Sequence, residues 1–248
     1  MSIYSTWENI CDNIVSNKLT NWKNKYEVKY MLEHVAKHFG EIYLENLIKD
    51  GVSIDTIKEL CLINDKFGGS EPENFEKYNL NVTPASLRYC RHAFDICNLI
   101  LQKNLNKEVN IIEIGGGYGG LCIILLRLAK KMNINIKNYY IYDLDKVQKL
   151  QKYYLSNFFI DDKVIWMNSN SFGCDFFSNE LNNNILISNY CLSEIPIEYK
   201  DKYLKNLLPK VNGGYFAWNS NDKTNLPENY KEETENPQTA INNKIIKF

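Results

Sequence analysis

Asn110 to Gly120 reads NIIEIGGGYGG. Val109 to Ile114 is an apolar run with one acid in it, and it stops at five glycines within six residues. Leu121 to Ala129 (LCIILLRLA) then has the composition of a helix. Strand, glycine turn and helix N-terminus together cradle nucleotides, because main-chain amides at a helix start face the ligand. Glycine allows the tight turn and, lacking a Cβ, lets a ligand approach the backbone closely. Glu113, Gly115, Gly117 and Gly119 give E-x-G-x-G-x-G, while Gly115, Gly117 and Gly120 also satisfy G-x-G-x-x-G. The turn therefore admits two cofactors, S-adenosylmethionine and NAD.

The composition narrows the setting. With 248 residues the chain can hold one large domain or a core with a smaller appendage, and 44% hydrophobic content is enough for a packed interior. A net charge of −1 without a long basic run argues against a nucleic-acid partner. The apolar segments fall short of the ~20 residues that span a bilayer, so no membrane partner is expected. MSIYSTWENICDN at the start lacks the basic and apolar regions of a signal peptide. Seven cysteines, an odd number without CxxC or CxxxC spacing, signal neither a disulfide framework nor zinc. The expectation is a reduced, cytoplasmic protein.

Beyond the glycine turn, strands and helices alternate. Asn138 to Tyr142 reads as the second strand and ends at Asp143; Val147, Leu150, Tyr154 and Phe158 mark a helix. Val164 to Met167 and Ile185 to Ser188 are the third and fourth strands. A helix around Glu198 to Leu208 precedes the fifth, Gly213 to Trp218. This alternation predicts an α/β fold, a Rossmann-like parallel-sheet sandwich with helices on both faces. Ligands in such sheets bind beyond the carboxyl ends of the strands. That gathers the glycine turn, Asp143 with Leu144, Asn168 with Ser169, and Asn189 with Tyr190 around one crevice. Asp143 is placed to accept bonds from ribose hydroxyls, which either cofactor would offer.

Ahead of the turn the chain reads as helical. Val28, Met31, Leu32, Val35 and Phe39 form a single apolar stripe that Gly40 interrupts. Ile42, Leu44, Leu47 and Ile48 suggest a short successor, and Ser53 caps a further helix. His34 and His38 stand at i, i+4 behind Glu33, a metal-holding interval without a clear third ligand. Their plainer reading is core or surface histidine, with His34 able to face a substrate. Phe67 to Asn81 reads as a connector, and Thr83-Pro84 starts a long helix. On it, Arg88 can clamp a carboxylate of the cofactor or substrate and His92 is a possible base. The expected division is a helical lid or dimerisation region over 1–82 and the nucleotide fold over 83–248.

EIGGGYGGL (113–121), YDLDKVQKLQKYYL (142–155) and SNYCLSEIP (188–196) resemble the class I sugar O-methyltransferases. KYMLEHV (29–35) and TPASLRY (83–89) extend the similarity over about residues 25 to 220, and LLPKVNGG (207–214) resembles the turn into strand five of class I methyltransferases in general. The resemblance implies S-adenosylmethionine as cofactor, held by Glu113, Gly115, Gly117, Tyr118, Asp143, Leu144, Asn168, Ser169, Asn189 and Arg88. In that family an acid at the Glu113 position meets the methionine ammonium, where dinucleotide folds usually carry an apolar residue. The implied acceptor is a sugar or nucleotide sugar. Glu194 is the expected base with His92 as runner-up, and Tyr190 and His34 contact the substrate.

No required metal is expected, since Asp161-Asp162 precedes the third strand, at the opposite sheet end. The tail, ending Lys244-Ile245-Ile246-Lys247-Phe248, departs from the family, so its final antiparallel hairpin should be shortened or unorthodox. A homodimer through the apolar leader is plausible. Two other readings stay open: an NAD(P)-dependent sugar oxidoreductase and a non-catalytic cofactor-binding partner. Against the first, Tyr199 to Tyr203 has the Tyr-x-x-x-Lys interval but ends in tyrosine.

Overall fold

The structure is a computed structural model that describes residues 3–158, 163–177 and 183–248. Four helices come first: α1 (Ile3–Ser16), α2 (Tyr26–Leu32), α3 (Lys37–Lys49) and α4 (Ile54–Asp65). A small hairpin of β1 (Glu73–Phe75) and β2 (Leu80–Val82) leads to α5 (Pro84–Gln102). The alternating part runs β3 (Val109–Ile114), α6 (Gly120–Lys131), β4 (Ile136–Asp143), α7 (Asp145–Leu155), β5 (Val164–Asn168) and β6 (Asn184–Asn189). It closes with α8 (Cys191–Glu194), α9 (Ile197–Leu207), β7 (Gly213–Trp218), β8 (Lys231–Thr234) and β9 (Lys244–Lys247).

The chain forms two compact units from interleaved segments. One, here the helical unit, comprises residues 1–97, 117–131 and 146–160; the other, the sheet unit, comprises 98–116, 132–145 and 161–248. The leader is thus compact together with α6 and most of α7.

In the sheet unit, seven strands lie in the order β5-β4-β3-β6-β7-β9-β8. β3 pairs in parallel with β4 and β6, β4 with β5, and β6 with β7. Every residue of β3 and of β7 is buried, as expected for strands covered on both faces. On one face Tyr203, Leu204 and Leu207 of α9 pack with Ile112, Leu186 and Phe216. Each such buried side chain contributes roughly 1.5–3 kcal/mol. The chain moves outward from β3 to β4 and β5, then returns to the other side of β3 with β6. The carboxyl end of β3 is therefore the topological switch point, where ligands of open α/β sheets bind.

The final hairpin is short but complete. β9 lies antiparallel between β7 and β8, and both strands of the hairpin have four residues. All of β8 is exposed, and its KEE charges protect an edge that would otherwise pair with another chain.

In the helical unit the structure corrects three expectations. The stripe from Val28 to Phe39 is two helices, with a break between Leu32 and Lys37. Arg88 Nη2 donates to the Leu32 carbonyl at 3.0 Å, capturing the acceptor that a continuing helix would have used. His34 and His38 therefore do not share a helix face. Gly40 interrupts nothing; it lies inside α3, where a Cβ would meet the Phe75 ring at 2.9 Å. The connector from Phe67 to Asn81 contains β1 and most of β2, turned by Asn79 in the left-handed region at φ 47°.

Candidate active site

In the sheet unit, the end of β3 is tied down from two directions. The Gly115 amide donates to the Tyr142 carbonyl at 2.9 Å, and the Gly116 amide donates to Asp143 Oδ2 at 2.9 Å. Asp143 Oδ1 accepts from the Leu144 amide at 2.9 Å, so the carboxylate links the glycine turn to the start of α7. Gly115 has φ +76°, and a Cβ there would overlap Cys191 Cβ at the start of α8. Only glycine fits that position.

Glu113, just before the turn, is buried and accepts from Tyr139 Oη at 2.9 Å. Burial pushes its carboxyl up to about 8, the Tyr139 bond opposes this, and the Asp143 charge adds to it.

Neighbouring strand ends supply the rest. Asn168 pairs directly with Asp143, and its Oδ1 accepts from the Asn170 amide at 3.0 Å, capping the turn that begins at Ser169. The Ser169 carbonyl accepts from Tyr203 Oη at 3.1 Å. At the end of β6, both polar atoms of the Asn189 side chain are buried and make no hydrogen bond to the protein. An amide buried in this way costs free energy that a ligand would recover.

Tyr190 follows in the left-handed region at φ 66°, uncommon for a bulky residue. Its amide donates to the Ala217 carbonyl at 2.7 Å, and its hydroxyl donates to Glu235 Oε1. Glu235 is buried just past β8 and also accepts from Thr239 and Asn243. Glu194 closes α8, is exposed, and accepts from Asn219 Nδ2 at 2.7 Å. Glu235 escaped the sequence reading because it stands in a polar tail without periodicity.

The remaining candidates belong to the helical unit. Gly117 (φ +55°) accepts through its carbonyl from Gln151 Nε2 at 3.0 Å. The Tyr118 side chain turns into the core. Its hydroxyl donates to Glu33 at 2.6 Å, and its ring meets those of Trp22 and Tyr154 at 5.1 and 4.9 Å. Lys23 Nζ lies 4.6 Å from the Tyr118 centroid and donates to the Asn64 carbonyl at 2.6 Å. What Tyr118 can offer a ligand is thus its main chain. Arg88 is buried and holds the Leu32 carbonyl, and His92 is buried on α5. His34 is exposed and lines a cavity of about 450 Å³. The sequence candidates therefore divide between the units. Glu113, Gly115, Asp143, Leu144, Asn168, Ser169, Asn189, Tyr190 and Glu194 cluster at strand ends of the sheet unit.

Among the described residues, no group of three His, Cys, Asp or Glu side chains could hold a metal, and no helix is long and apolar enough to cross a membrane. Asp161-Asp162 lies outside the described residues.

No family model and no curated protein matches the chain. Among solved structures, it is similar to a Burkholderia thailandensis protein bound to S-adenosyl-homocysteine, at 19% identity and TM-score 0.34, covering 42% of this chain and 26% of that one. It is similar to M. capricolum TrmK in complex with S-adenosyl-homocysteine, at 17% identity and TM-score 0.40, covering 60% and 66%. The methyltransferase domain of the bacterial CtHen1-CN gives 13% identity and TM-score 0.45, covering 65% and 98%. This chain thus spans only about a quarter of the length of the Burkholderia protein. Likenesses of this size assign no function, and the chain's own residues have to carry one.

Proposed function

We propose that the chain is an S-adenosylmethionine-dependent O-methyltransferase whose acceptor is a sugar hydroxyl. The observation that carries this reading is Glu113, a buried acid just ahead of the glycine turn. Burial favours its protonated form, and the ammonium group of a bound cofactor would favour the ionised one. The sugar acceptor rests on the resemblance of SNYCLSEIP and the leader segments to the sugar O-methyltransferases.

The residues present fit such a cofactor. The main chain at Gly115 and Gly116 allows close approach, Asp143 presents a carboxylate at the strand end where ribose hydroxyls bind, and Asn189 offers one donor and one acceptor that the protein leaves unused. When bound, S-adenosylmethionine supplies an activated methyl group on sulfur. The protein then has to hold the acceptor oxygen in line, exclude water and take a proton. Glu194, steadied by Asn219, is the proton acceptor in this reading, and Tyr190, held by Glu235, shapes the acceptor side. Assistance by a placed base contributes ~10²–10⁴-fold.

The test is transfer of a labelled methyl group from S-adenosylmethionine to a panel of sugars, comparing wild type with Glu194→Gln and His92→Ala. Transfer by wild type and its collapse in Glu194→Gln support the reading. Near-normal turnover in both variants would contradict the base assignment.

A further inference from the structure

The helical unit holds the 450 Å³ cavity, walled by α2, by the break that follows it, and by segments near Ser70 and Thr83. Its size suits a small ligand. Tyr26 and Tyr30, one turn apart on α2, line it with their rings stacked at an interplanar angle of 22°. They are 78% and 68% exposed, which is unusual for two adjacent large aromatic residues. Beside them Ser70 lines the same cavity, and its Oγ is buried without a hydrogen bond to the protein. The wall includes Glu33, the residue that receives the Tyr118 hydroxyl from the glycine turn. Glu33, through this hydrogen bond, and Lys23, over the Tyr118 ring, therefore connect the cavity wall to the turn within this unit.

The charges of the lining say what can enter. Lys29 is engaged by Glu71, Lys23 is buried against the rings of Tyr118 and Tyr154, and Glu33 and Glu73 line the cavity as well. A pyrophosphate would find no arginine and no uncommitted cluster of lysines here. A neutral ring bearing hydroxyls finds aromatic faces for its C–H groups and polar atoms for its oxygens.

We infer that this cavity is a binding site for a neutral sugar ring rather than for a nucleotide diphosphate sugar.

The experiment uses the full chain with S-adenosyl-homocysteine present. Saturation-transfer NMR is recorded with methyl glucoside, methyl galactoside and methyl mannoside, and separately with UDP-glucose. Transfer to the ring protons of at least one methyl glycoside is expected. Tyr26→Ala/Tyr30→Ala should weaken that binding about tenfold or more, while affinity for S-adenosyl-homocysteine stays within about twofold. Both tyrosines are exposed, so the variant should fold. Ser70→Ala should weaken the same binding without lowering the melting temperature, since it removes a hydroxyl that bonds nothing in the protein. The inference is overturned if no methyl glycoside binds, if binding ignores the tyrosine substitutions, or if UDP-glucose binds about tenfold tighter than methyl glucoside. Tyrosine-dependent sugar binding in a protein that fails to bind S-adenosyl-homocysteine would keep the sugar site and defeat the methyl-transfer reading.

Discussion

Asp143 Oδ2 accepts the Gly116 amide at 2.9 Å, so the acid that ends one strand pins the turn that ends its neighbour. Its other oxygen holds the Leu144 amide. Asp143→Asn turns one acceptor into a donor facing a backbone N–H. It should cost ~1–3 kcal/mol of stability, read as a lower urea midpoint. An unchanged midpoint would show that the turn is held by other means.

Glu113 gives the chain a pH dependence of known sign. Its carboxyl titrates near about 8 when folded, against an ordinary 4.5. The folded protein therefore keeps a proton that the unfolded chain has already lost across that window. This group's contribution to stability is complete below pH 4.5 and is lost as pH rises through about 8. Glu113→Gln removes the dependence, so its advantage over wild type should grow between pH 5 and pH 9, by on the order of a few kcal/mol. Urea titrations at the two pH values check this, and parallel profiles would refute it.

Gly115 and Gly51 both have positive φ, +76° and +90°, but differ in surroundings. A Cβ on Gly115 would overlap Cys191, whereas one on Gly51 would meet nothing within 4 Å. Gly51→Ala should cost only the backbone strain, about 1–2 kcal/mol. Gly115→Ala adds the overlap and should cost about 2–4 kcal/mol. Equal urea midpoints for the two variants would mean that α8 does not close on the turn.

Glu194 takes the acceptor proton in the proposed reaction. Glu194→Gln should lower kcat by ~10²–10⁴-fold and leave S-adenosyl-homocysteine affinity within about twofold, as calorimetry and a labelled-methyl assay would show. Loss of cofactor affinity in step with turnover would make Glu194 a cofactor contact instead.

The glycine turn, the five parallel strands and their order along the chain were legible because buried strands and glycine punctuation leave local marks. The break after Leu32 was not. Glu33-His34-Val35-Ala36 contains no glycine or proline, and the helix stops because Arg88, far along the chain, takes the Leu32 carbonyl. Gly40 misled for the complementary reason, since its lack of a side chain serves the approach of Phe75 within an intact helix. The first strand of the last hairpin carries no alternation, because β8 is an exposed edge held by main-chain bonds. The same holds for the site. Strand-end residues such as Asp143 and Asn189 could be read from position, while Glu235 and the cavity beside Tyr26 arise from segments brought together only by folding.

The most direct measurement is calorimetric titration of the purified protein with S-adenosyl-homocysteine and, separately, with NAD, repeated on Asp143→Ala. The proposed function predicts binding of S-adenosyl-homocysteine that weakens at least about tenfold in the variant, with no heat from NAD. Binding of NAD alone would contradict it and turn the search towards oxidoreduction.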